Sequence, residues 1–285
     1  MMAVEIFDQR QNTLGEGPLW HPLRQQLFWF DIPNRLLRSQ KDGQALEWAF
    51  DEIVTAAGWL DETKLVIASE RQIFIFDLET NTQTHLVDLE KDVPSRRSND
   101  GRVDPWGGFW IGTMSKTDPS AEKGGIYRFY QGELRLLVPE VAIPNAICFA
   151  HDRSCAYYTD TPTQLVWKQM LDAEGWPLGE PIVHVDLRKK NLNPDGALID
   201  QHGHMWIACW GAACVARFDE RGQLVDRLEL PATQPTCPAF GGSNFTELYL
   251  TSARENLASP HQADGQTLRL NGVVSGQAEY AVSLD

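Results

Sequence analysis

Short apolar runs, each closed by a polar turn and answered by a second aromatic or β-branched run, recur along the whole chain. The segments PLWHPLRQQLFWFD (18–31), AGWLDETKLVIASE (57–70), GRVDPWGGFWIGTM (101–114), AICFAHDRSCAYYTD (146–160), GALIDQHGHMWIACW (196–210) and PAFGGSNFTELYLTSA (238–253) share this grammar. Taking Trp20, Leu60, Val103, Phe149, Ile199 and Phe240 as equivalent points, the spacings are 40, 43, 46, 50 and 41 residues, the period of a four-stranded propeller blade. The second half of each unit supplies two further strands, as in IFIFDLET then THLVDL, GIYRFYQGELRLL, LVWKQMLDAEGWPLG and CVARFDERGQLVDRLEL. Turn pairs such as Asp42-Gly43, Gln131-Gly132 and Arg221-Gly222 fall where hairpins need them. No stretch sustains a 3.6-residue apolar period, which disfavours a helical solenoid. The pattern predicts an all-β chain, a single six-bladed β-propeller domain over residues 1–285, with 18–31 and its counterparts forming the two inner strands of each blade. Ring closure needs both chain ends in one blade, and VEIF near the start and EYAVSL at the end are the strand-like segments expected to meet there.

Composition supports a large core, with 42% hydrophobic residues, ten Trp and twelve Phe. A net charge of -14 repels phosphate backbones and anionic lipid, so nucleic acid and membranes are poor partners and small ligands remain. The N-terminus lacks a basic segment followed by an apolar one, and no apolar run is long enough to span a bilayer, so a cytoplasmic protein, monomeric or weakly homo-oligomeric, is expected. Cys148, Cys155, Cys209, Cys214 and Cys237 include no CxxC pair and read as buried free thiols.

The first strand of each blade lines the central channel, so residues at one phase of the repeat converge on the axis. Four residues before each equivalent point lie Glu16, Ala56, Asn99, Asn145, Asp195 and Thr236. Four of these are carboxylates or carboxamides, within GEGP, SNDG, IPNA and NPDG. Any one alone is an ordinary turn residue. Together, Glu16, Asn145 and Asp195 make a hard-oxygen set with two charges, suited to one divalent metal ion. Calcium and zinc come first, ahead of magnesium, manganese and ferrous iron. Without a cation, two such carboxylates would repel and one pKa would rise.

GEGPLWHP, RRSNDGRVDPWGGFWIGTM, IPNAICF with YYTDT after it, and NPDGALIDQHGHMWIACWG resemble the SMP-30/gluconolactonase/regucalcin-like family, in order and over nearly the whole chain. The resemblance implies a six-bladed propeller and metal ligands at Glu16, Asn145 and Asp195. It also implies substrate contacts from Arg97 and Asn99, and from Glu122 in SAEKGGIYRF. The stretch after Arg254 is weakly patterned against the family.

The expected activity is a metal-dependent hydrolase that opens a sugar-acid lactone to the aldonic acid, with Asp195 as general base. Two alternatives stand beside it: an organophosphate or aryl-ester hydrolase on the same site, and a non-enzymatic calcium-binding propeller. His202 and His204 read as solvated turn residues rather than ligands. GxSxG, Walker and HExxH motifs are absent from the sequence. The tryptophans read as blade packing, with Trp210 able to border the channel mouth.

Overall fold

A computed structural model describes residues 4–285. Its strands form six four-stranded sheets, and each repeat unit is one blade. The innermost strands are Gly15–His21, Val54–Trp59, Arg96–Val103, Pro144–Phe149, Asn193–Ile199 and Gln234–Gly241. The next strand outward is buried on both faces, which is why it reads as an unbroken apolar run: in Gln26–Asp31 (QLFWFD) every residue is buried. The outermost strands, such as Gln44–Ala49, are largely exposed and polar.

Ring closure is half as expected. Val4–Asp8 does complete the last blade, but its partner is Thr267–Asn271, with Ile6 opposite Leu268. EYAVSL (279–284) instead crosses the end of the channel formed by the C-terminal ends of the inner strands. Val282 N–H donates to Trp59 O (2.9 Å), Ser283 N–H donates to Gly107 O (2.9 Å), and Glu279 pairs with the partly buried Arg102. The space for this comes from Gly58, where a Cβ would meet Val103 and Val282 side chains at 2.2 and 2.7 Å. With the last sheet already filled by Thr267–Asn271, the tail buries its apolar side chains under blades two and three instead.

A recurring aspartate locks the inner hairpins. In blade three, Asp104 accepts N–H bonds from Trp106 and Gly108, the Trp110 indole and Arg128 Nε. In blade five, Asp200 does the same for His202, His204, Trp206 and Arg217. His202 and His204 therefore sit in a hairpin turn, as the sequence suggests, and their backbones serve that turn. All five cysteines are free and buried.

Candidate functional site

Every inner strand carries a register break at the same phase of the repeat: between Glu16 and Leu19, Val54 and Ala56, Ser98 and Gly101, Asn145 and Cys148, Pro194 and Ala197, and Pro235 and Pro238. A bulge leaves the ladder locally and re-aims a side chain. Gly17 makes the first one possible: its φ is +53°, and a Cβ there would lie 2.3 Å from Thr55 O. At or beside these breaks, Glu16, Asn99, Asn145 and Asp195 line one cavity of about 230 Å³, with Arg97 beside them. The other two residues at this phase stay out. Ala56 is buried in an apolar cluster, and Thr236 spends its hydroxyl on Gly15 O (2.5 Å) and Thr251 (2.8 Å).

The polar side chains form a chain of bonds. Arg97 Nη1 donates to Asn99 Oδ1 (2.8 Å), and Asn99 Nδ2 donates to Asn145 Oδ1 (2.8 Å) and Pro144 O (2.9 Å). Asn145 Nδ2 donates to Thr161 Oγ1 (3.0 Å), whose hydroxyl donates to Pro194 O (2.8 Å). This order fixes the carboxamide of Asn145 with its oxygen on the side of Asn99. Glu16 accepts the Gly17 N–H at 2.9 Å.

Glu16 and Asp195 are 7% and 5% exposed, and their carboxyl groups lie within hydrogen-bonding reach of each other. Two anions cannot occupy that arrangement in a dry site without a shared proton or a cation. Burial, followed by the charge of Asp100, pushes Glu16 up to about 8. Burial and then Glu16 hold Asp195 well above the ordinary carboxylate range. Asp100 is itself raised by burial, and accepts the Ile147 N–H at 2.9 Å. Burial lowers Arg97, opposed by Glu255, Glu16 and Asp195 in that order.

The donor set fits a hard divalent cation: two carboxyl groups whose proton such an ion would replace, and one carboxamide oxygen held in place. Among the described residues there is no cluster of three or more His, Cys, Asp or Glu with metal-binding geometry, so a third side-chain donor beside these two carboxyl groups would be the carboxamide of Asn145.

Glu122 is not brought into this cavity. It accepts from Ser95 Oγ at 2.7 Å and pairs with Arg96 Nε at 3.3 Å. Arg96 precedes Arg97 in the strand, so the two face opposite sides of the sheet. Several wall residues were not legible as such: Leu14, Met114, Ile143, Thr161 and Glu255, joined by Trp210. Thr161 closes the YYTDT motif, which gave a usable signal. Glu255 follows the last repeat segment and carried none.

Six four-stranded blades with an oxygen cluster and a guanidinium in one cavity lined by four of the innermost strands define a β-propeller with a polar pocket. A model of the family described as SMP-30/Gluconolactonase/LRE-like region matches residues 14–254, and the chain belongs to that family. It is 33% identical over 260 residues to the 6-deoxy-6-sulfogluconolactonase of Pseudomonas putida, covering 90% of this chain and 89% of the relative. It is 33% identical to the L-arabinolactonase of Azospirillum brasilense, covering 98% and 93%. A crystal structure described as the calcium-binding protein regucalcin, from Agrobacterium tumefaciens, superposes with a TM-score of 0.95 at 34% identity, covering 99% and 98% of the two chains.

Proposed function

We propose that Glu16, Asn145 and Asp195 hold one divalent cation, calcium or zinc first, and that the cavity opens an aldonolactone to the free aldonic acid. That the chain is a lactonase follows from its family and from relatives named as lactonases. The observation that carries the finer reading is the contact between two buried carboxyl groups, Glu16 and Asp195, in the same small cavity as Arg97 and Asn99.

A bound divalent cation would supply Lewis acidity that polarises the lactone carbonyl and offsets charge building on its oxygen. The remaining work belongs to the chain. Within the guanidinium of Arg97, only Nη1 is engaged in hydrogen bonds among the described residues, which leaves its other N–H groups to orient the hydroxyls of the ring. Once the charge of the Glu16–Asp195 pair is compensated, Asp195 is a carboxylate and can accept a proton from the attacking water. The water oxygen bonds to the carbonyl carbon, the ring C–O bond breaks, and the proton on Asp195 passes to the departing ring oxygen. Leu14, Met114, Ile143 and Trp210 line the same cavity and suit the C–H faces of a sugar ring.

Those four apolar residues also favour a second reading, hydrolysis of an aryl ester or organophosphate. The donors argue against it, since Arg97 lies in the same cavity with guanidinium N–H groups that suit ring hydroxyls and have no partner on an aryl group.

The test is a panel of pentono- and hexonolactones beside aryl esters and a phosphotriester, followed by acid or phenol release, with chelator and then each metal added back. Sugar lactones turned over only with metal support the proposal. Preference for the aryl substrates selects the second reading, and metal binding without turnover of any substrate rejects both.

A further inference from the structure

Glu255 stands apart from the other cavity acids. Its backbone is pinned, with its N–H donating to Thr13 O (2.9 Å) and its carbonyl accepting from Gln234 Nε2 (2.9 Å). Yet among the described residues no hydrogen bond or ion pair engages its carboxylate. The side chain forms part of the same cavity wall as Arg97, and among the described residues no ion pair joins the two.

Among the described residues, Arg97 is the only basic one lining the cavity. Alone, a guanidinium there would be a fork for a phosphate, sulfonate or carboxylate on the ligand. It is not alone: of the surrounding carboxylates, Glu255 acts on it most strongly, ahead of Glu16 and Asp195. A divalent cation balances Glu16 and Asp195, and Glu255 balances Arg97, leaving a wall with no net charge to offer an anion.

We propose that Glu255 is a specificity-determining residue that restricts this site to uncharged lactones. A substrate hydroxyl at that wall can donate to Glu255 while accepting from Arg97. An anionic substituent drawn there by Arg97 is repelled by the Glu255 carboxylate. The proposal rests on the lactonase reading above and deepens it to a substrate class.

The test compares D-glucono-1,5-lactone with its 6-phosphate, using metal-loaded wild type and Glu255→Gln. In wild type the uncharged lactone is preferred. In the variant kcat/KM for the phosphate rises about tenfold, the scale of one like-charge contact in a half-buried site, while that for the uncharged lactone falls. Opposite movement is not what a merely structural residue produces. Raising the ionic strength shrinks the wild-type preference and leaves that of the variant nearly unchanged.

A second readout needs neither turnover nor metal: titration calorimetry of 1,5-anhydro-D-glucitol 6-phosphate against each protein in chelator, where the variant binds at least threefold more tightly. If wild type opens no lactone, the lactonase reading fails while the calorimetry still judges Glu255. If phosphate affinity is the same in both proteins, or both lactones shift together, Glu255 does not select by charge.

Discussion

Replacing Glu16 with Gln probes the electrostatics on which the metal reading rests. Without a cation, burial and the charge of Asp100 push the Glu16 carboxyl from 4.5 up to about 8. An acid that holds its proton more tightly when folded stabilises the fold fully below its unfolded value. That contribution is lost as pH rises through the folded value. At about 1.4 kcal/mol per pH unit, the climb from 4.5 to about 8 removes about 5 kcal/mol from the chelated wild type. Glu16→Gln has no such proton to lose, and its amide oxygen can still accept the Gly17 N–H. Urea denaturation in chelator should therefore show the variant gaining on wild type as pH rises, from near parity at pH 4.5 to an advantage of several kcal/mol at pH 8. Saturating metal should reverse the order at pH 8, because a cation stabilises the wild-type carboxylates and finds one charge fewer in the variant. Stability curves that stay parallel to within about 1 kcal/mol in chelator, less than one pH unit of linkage, would refute the account of two carboxyl groups strained against each other.

Asp195→Asn keeps the shape of the side chain and an oxygen donor but removes a charge and the proton acceptor. It should lower kcat by at least about a hundredfold in a folded protein whose metal content is verified, and wild-type turnover would sink the base assignment. Asn99→Ala should cost about 1–3 kcal/mol of transition-state binding. It should also weaken metal affinity about tenfold, because Asn99 Nδ2 holds the oxygen of Asn145; equilibrium dialysis with an unchanged metal affinity would show that this bond positions nothing. Asp104→Asn leaves Arg128, fully buried and paired through Nε, without its counter-charge. The expected loss is about 3–5 kcal/mol, read by urea denaturation. Asp200→Asn should cost less, because its partner Arg217 is 19% exposed. Equal losses would show that burial of the arginine does not set the cost.

The repeat, and with it the number of blades, is a property of the sequence, because a strand buried on both faces must be apolar throughout and a hairpin must have its turn residues. Glu16, Asn99, Asn145 and Asp195 were legible for a related reason: symmetry about an axis turns equal phase along the chain into proximity in space. What phase does not reveal is which residues at that position reach the cavity: Glu16, Asn99, Asn145 and Asp195 do, whereas Ala56 packs into the core and Thr236 is bonded to a backbone carbonyl. Nor does it reveal side-chain partnership, so Asn99 read as a substrate contact and not as the group that orients Asn145. Glu122 sits in a loop outside the repeat, and only the packing of Ser95 and Arg96 decides where it points. EYAVSL has the alternation of a strand, yet the last sheet was already complete, so it became a plug under the channel. Glu255 reaches the cavity through a backbone bond to Thr13, at the other end of the chain. Periodic local patterning determines which strands form and which side chains share a ring, whereas contacts between residues distant in sequence, with no period to announce them, are decided only when the ring closes.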